Sequence, residues 1–101
     1  MNHQRRVIFT ARALREIEAA EQWWRANRDK APSAFTEETA AACTLIASNP
    51  TLGKLVPGRR EGVRRLPIPR IRYYLYYRIR TNGDIEILSL WHTSRGRTPR
   101  L

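Results

Sequence analysis

The strictest pattern in the chain is an alternation that begins at Ile71. Ile71, Tyr73, Leu75, Tyr77 and Ile79 occupy every second position, and Arg72, Tyr74, Tyr76, Arg78 and Arg80 lie between them. A period of two is that of a strand with one face buried. The first set is the expected core face and the second the expected outer face. Asn82-Gly83 follows and leads into the apolar run Ile85 to Trp91. An Asn-Gly pair favours a two-residue type I′ hairpin, in which both central residues take positive φ. That loop sets a register. Ile79, Tyr77, Leu75 and Tyr73 are expected opposite Glu86, Leu88, Leu90 and His92 on the core face. Arg80, Arg78, Tyr76 and Tyr74 are expected opposite Ile85, Ile87, Ser89 and Trp91 on the outer face.

The first half of the chain changes period. Arg6 to Thr10 is a short strand candidate with apolar Val7, Ile8 and Phe9, and Thr10 suits a helix N-cap. Ala11 to about Asn27 has no Gly or Pro and is rich in helix formers. Leu14, Ile17 and Trp24, with Ala13 and Ala20, form its apolar stripe, and Trp23 falls at the margin. Asn27 to Lys30 is a polar connector, and Pro32 suits the first turn of a second helix. Phe35, Ala42 and Ile46 give that helix its buried stripe, with Leu45 adjacent and Cys43 a small filler. Pro50 stops it by Asn49. Thr51 to Gly62 reads as a basic loop, and Val63 to Ile68 as a strand that Pro67 places at a sheet edge or shortens.

The elements add up to an α+β two-layer fold: an N-terminal strand, an antiparallel helical hairpin, then a three-stranded antiparallel meander forming one sheet. One domain spans residues 1–101, with an aperiodic basic tail over 93–101.

Composition narrows the functional classes. The chain has 101 residues with 42% hydrophobic and 28% charged content, as expected of a folded domain with one modest core. No apolar run approaches the ~20 residues of a membrane span, and no signal-peptide core follows the basic N-terminus. A cytoplasmic protein is expected. The single cysteine, Cys43, makes no internal disulfide and, with only His3 and His92, no zinc site; neither metal nor cofactor is expected. Residues 1–50 carry seven Lys/Arg and six Asp/Glu, whereas residues 51–101 carry twelve and three. Nearly all of the formal charge of +10 therefore sits on the half that holds the hairpin, which points to a polyanionic or acidic partner.

The element order, with Val7-Ile8-Phe9-Thr10 and Ala13, Ser48-Asn49-Pro50 and Gly53, Val63-Arg64-Arg65-Leu66, Tyr76-Tyr77-Arg78-Ile79 and Ile85-Glu86-Ile87-Leu88 before Trp91-His92, resembles the RelE/ParE superfamily of type II toxin–antitoxin toxins. The resemblance covers almost the whole chain. It implies a growth-inhibiting toxin of the kind involved in plasmid stabilisation, held inactive by a cognate acidic antitoxin. Members poison DNA gyrase (the ParE branch) or cleave mRNA on the ribosome (the RelE branch).

Metal-free RNA cleavage needs a base, an acid and cations on the phosphate, and the candidates for these roles are His92, Arg65 and Arg95. Against that reading, Pro67 and Tyr74 stand where RelE-like ribonucleases resemble one another in basic residues, and no Tyr, Lys or Glu follows His92. His92 also has a plain structural role open to it, closing the strand end against Tyr73. The ParE branch, a gyrase poison that is not itself an enzyme, is the preferred expectation; a ribosome-dependent endoribonuclease and a stand-alone nucleic-acid-binding domain are the alternatives. The expected antitoxin- or target-binding surface comprises Arg72, Tyr74, Tyr76, Arg78, Arg80, Trp91, Arg95, Arg97 and Arg100, because Tyr, Trp and Arg anchor interfaces.

Overall fold

A computed structural model describes residues 5–58 and 60–101. His3, and Arg59 of the expected basic loop, lie outside the described residues. The elements are β1 (Val7–Phe9), α1 (Ala11–Asn27), α2 (Ala34–Ser48), β2 (Lys54–Leu55), β3 (Arg64–Ile68), β4 (Tyr73–Ile79) and β5 (Ile85–His92). The expected α+β class, helical hairpin and antiparallel meander are present, but the sheet has five strands in the order β1-β5-β4-β3-β2. β1 joins it by parallel pairing, Val7 to Phe9 against Ile85 to Ile87. No helix of the described residues is long and apolar enough to cross a membrane.

The fifth strand comes from the segment read as a loop. Lys54 and Leu55 pair with Arg65 and Arg64, and the cause lies in β4. The Tyr77 hydroxyl accepts the Gly53 N–H at 2.8 Å and donates to the Pro50 carbonyl at 2.8 Å. Arg64 donates to the carbonyls of Gly53 and Thr51. The chain after α2 is thus stitched along β3. A Cβ on Gly53 would stand 2.7 Å from the Tyr77 ring and hydroxyl, so this approach requires glycine. β2 reaches only Arg64 and Arg65, which leaves Pro67 on an uncovered edge, as the missing N–H requires.

The hairpin departs from its expected register near the turn. The Gly83 N–H donates to the Arg80 carbonyl and the Arg80 N–H to the Asp84 carbonyl, both at 2.8 Å. Gly83 has φ of 92°, whereas Asn82 is not among the residues with positive φ. The connection is therefore a three-residue loop, a type I turn followed by a left-handed glycine, and not type I′. Ile79 pairs with Ile85, Arg78 with Glu86 and Tyr77 with Ile87. A bulge at Tyr76/Tyr77 then restores the expected pairs Tyr76–Ser89, Leu75–Leu90, Tyr74–Trp91 and Tyr73–His92. The shift moves Ile85 and Ile87 into the helix-facing core and Glu86 and Leu88 to the outer face. Burying two isoleucines is worth about 1.5–3 kcal/mol each, and the expected register would have buried Glu86 in their place.

The main core lies between helices and sheet: Ala13, Ala20, Phe35, Ala42, Ile46, Ile68, Ile71, Leu75, Tyr77, Ile85, Ile87 and Leu90. All five residues of the β4 alternation belong to it or pack against it. Thr10 caps α1 as expected, its hydroxyl accepting the Ala13 N–H at 3.1 Å. Two helix expectations change. Leu14 is not core but 53% exposed, because the helix sets its small residues, Ala13 and Ala20, closest to the sheet. α2 begins at Ala34 with Ser33 as N-cap, two residues after the proline. Beyond the reach of β1, Glu16 of α1 takes over the edge of β5, accepting the Ser89 hydroxyl at 2.8 Å and the Leu90 N–H at 3.3 Å.

Candidate functional site

The outer face of β3, β4 and β5 is where charge, aromatic rings and the segment after β5 meet. Tyr74 lies opposite Trp91, and a guanidinium flanks each ring: Arg65 is 4.3 Å from the Tyr74 centroid and Arg95 4.1 Å from that of Trp91. Arg12 and Arg97 also approach Trp91, at 5.9 and 5.8 Å. Such cation–π contacts contribute roughly 0.5–1 kcal/mol each at exposed sites. They gather guanidiniums from α1, β3 and the segment after β5 around the Tyr74–Trp91 pair.

This surface is less open than the sequence suggested. The segment after β5 folds back over it. The Trp91 indole N–H donates to the Arg97 carbonyl at 2.8 Å, and Arg12 donates to the carbonyl of Arg100. Leu101 packs against a second cluster of Val63, Tyr76, Leu88 and Trp91, and Pro99 is buried. Tyr76 is only 1% exposed and Trp91 7%, so these two support the tail from below. Arg95, Arg97 and Arg100 are exposed above them. The tail was legible as basic, but not as folded. Its apolar contacts come from isolated residues, Pro99 and Leu101, that no periodicity marks.

Arg78 and Arg80 are also engaged. Glu86 accepts the Arg78 Nε–H at 2.6 Å and an Arg80 N–H at 2.7 Å, with Arg60 at 3.8 Å. The hydrogen bond from Arg80, and then that from Arg78, hold the Glu86 carboxyl below its ordinary range against the opposing effect of burial. Glu86 was missed because the expected register turned it to the core. Arg72 is not on a strand at all. It closes the turn between β3 and β4 at φ of 62°, its N–H bonded to the Ile68 carbonyl and its carbonyl to the Thr93 N–H.

His92 stacks edge-on against Tyr73, with ring centroids 4.9 Å apart, and its Nδ1 accepts the Ser94 N–H at 3.1 Å. Tyr73 packs toward the helices, so His92 lies at that side of the sheet. Arg65, opposite Tyr76 and over Tyr74, lies on the other. The fold does not bring His92, Arg65 and Arg95 together around one point. Among the described residues no three His, Cys, Asp or Glu side chains gather where they could hold a metal ion.

A second surface was not foreseen. A groove of about 480 Å³ runs between β1, α1 and α2. Phe9, Leu14, Ile17, Phe35 and Cys43 line it, and Phe9 and Leu14 are exposed. The buried Thr39 hydroxyl, also in its wall, has no hydrogen-bond partner among the described residues. Burial pushes the Cys43 thiol up to about 11, so it stays protonated at neutral pH. The signal was present in Leu14, which was assigned to the apolar stripe of α1, and in Phe9, an apolar residue of the short first strand.

An N-terminal strand, a helical hairpin and a meander with a basic outer face define a small toxin fold, and comparison with solved structures agrees. A chain of the chromosomal ParDE TA system from P. aeruginosa superposes with a TM-score of 0.72 at 19% identity, over 91% of this chain and 99% of that one. The family model described as ParE toxin of type II toxin-antitoxin system, parDE, matches residues 7–97. The chain belongs to the ParE toxin family. A search of the curated proteins finds no match.

Proposed function

We propose that this ParE-family toxin acts in the cytoplasm by binding and poisoning DNA gyrase, without catalysis of its own, and that a cognate acidic antitoxin neutralises it. The observation that carries the non-catalytic reading is the separation of His92 from Arg65 across the sheet. Acid–base cleavage of RNA needs its proton-transfer group and phosphate cations within reach of one phosphodiester. The exposed arginines Arg95, Arg97 and Arg100, with Arg65 and Tyr74 beside them, are the target contact. Tyr76 and Trp91 serve beneath it, and Arg78 and Arg80 contribute through their ordered pairing with Glu86. The antitoxin covers this face and lays an apolar stripe into the groove at Phe9 and Leu14, where exposed side chains await cover.

Two assays on the purified toxin decide the target. Inhibition of gyrase supercoiling, with ribosome-bound messages left intact, is the expected result. Message cleavage with unaffected gyrase overturns the proposal and gives the ribonuclease reading. In that case, exchanging His92 for Gln abolishes cleavage; on the gyrase reading the same exchange leaves inhibition within about twofold.

A further inference from the structure

Where the tail leaves β5, and Thr93 bonds the Arg72 carbonyl, α1 and the β3–β4 turn line a cavity of about 280 Å³. Apart from Arg72, which was expected in the binding surface, its residues lie outside the surfaces proposed above for target and antitoxin. Its walls are Trp23, Trp24, Arg28, Arg70, Ile71, Arg72, Tyr73 and His92. Three guanidiniums and an imidazole therefore face a space whose lining holds no carboxylate. Glu38 reaches Arg70 from outside at 3.4 Å, whereas among the described residues neither Arg28 nor Arg72 is in an ion pair.

The donors are also oriented. Nδ1 of His92 is held by Ser94, 3.1 Å from its N–H and 2.6 Å from its hydroxyl, which leaves Nε2 as the ring nitrogen free of a partner among the described residues. Three carbonyls near the end of α1, which would repel an anion, have donors: Asn27 bonds that of Trp23 and the Arg28 N–H that of Trp24, at 2.8 and 2.7 Å, and one Arg28 guanidinium N–H bonds that of Asn27 at 3.3 Å. The Trp24 indole N–H is bonded to the Ala31 carbonyl. Arg72 holds a left-handed backbone conformation, φ of 62°, that non-glycine residues rarely adopt. Glycine would relieve this strain. Trp23 stands at the rim with half of its surface exposed and Arg28 stacked 5.3 Å from its centroid.

The geometry points to a binding site for a nucleotide, its phosphate held by Arg72, Arg28 and His92 and its base stacked on Trp23. Guanidiniums bind phosphate in bidentate fashion, and an exposed indole stacks any base. The volume is just below the ~300 Å³ at which small-molecule pockets begin, which suits one phosphate and its sugar with the base outside. A free nucleotide and the 5′-phosphate end of a strand share this chemistry.

The test is titration of the full-length protein with AMP, inorganic phosphate and a 5′-phosphorylated oligothymidine, followed by calorimetry and by the Trp23 indole resonance. Saturable binding of AMP assigns a free nucleotide. Binding of the oligonucleotide at least about tenfold tighter than AMP assigns a strand end. Either supports the site. Arg72→Gly removes one charged contact while easing the backbone, so folding is spared, and it is expected to weaken binding about tenfold. Arg15→Gln, which removes the same charge from an exposed position of α1 about two turns before Trp23, is expected to leave it unchanged. Absence of saturable binding, or equal loss in both variants, overturns the assignment. Gyrase inhibition by Arg72→Gly, measured in parallel, separates failure here from failure of the target reading.

Discussion

Glu86 shows how one side chain organises the basic half of the molecule. It is the acceptor for Arg78 and Arg80 and lies near Arg60. Exchange for Gln leaves these guanidiniums close together with no anion. Because the arginines are partly solvated, the expected loss is about 1–3 kcal/mol, read as a lower midpoint in urea. The pH dependence has a definite sign. A carboxyl whose folded value is depressed contributes stability that is present above its unfolded value of 4.5 and is lost as pH falls through the folded value. Wild-type stability should fall as pH drops below about 4.5, and Glu86→Gln should flatten this limb. Tyr77 invites a second test. Tyr77→Phe strands the Gly53 N–H and the Pro50 carbonyl, at an expected cost of about 1–3 kcal/mol, seen as faster amide exchange at Gly53. Neither role was legible: Glu86 depends on a register shift, and the Tyr77 hydroxyl on contacts 24 and 27 residues away.

At the scale of elements, the helices, β1 and the meander could be read because period and breakers agree there. Pro50 ends α2, Pro67 keeps its strand at an edge, and alternation in β4 survives intact. What failed was the turn. Asn-Gly suits a two-residue loop, but that loop would have set Ile85 and Ile87 among arginines, and side-chain burial outweighed the local preference. Gly83 remains indispensable in the loop adopted. Gly83→Ala, at φ of 92°, is expected to cost about 1–2 kcal/mol, measured by thermal unfolding. The groove between the helices and β1 gives the functional counterpart. Leu14→Glu changes an exposed position, so the melting temperature should hold within a degree or two, while affinity for the antitoxin falls at least about tenfold. Unchanged affinity would remove the groove from the antitoxin interface.

For the whole molecule, the charge asymmetry was the most transferable reading, since a formal +10 requires no structure to count. Its arrangement was not legible, because the tail that carries Arg95, Arg97 and Arg100 is ordered by Trp91, Arg12 and Leu101, which are far apart in sequence or unmarked by pattern. Truncation before Arg97 is expected to uncover Trp91, shifting its fluorescence to the red, and to abolish target inhibition.

The parallel pairing of β1 with β5 also constrains time. β5 lies between β1 and β4 and is bonded to both, yet it follows β1 by 78 positions (Val7 to Ile85). When β1, α1 and α2 have been synthesised, the surface they are built to cover does not yet exist. A chain growing from its N-terminus therefore carries an unpaired strand and two half-dressed helices until β5 arrives. Loop closure over that separation is slow compared with helix formation, and the toxin should reach its working shape in one late, cooperative step.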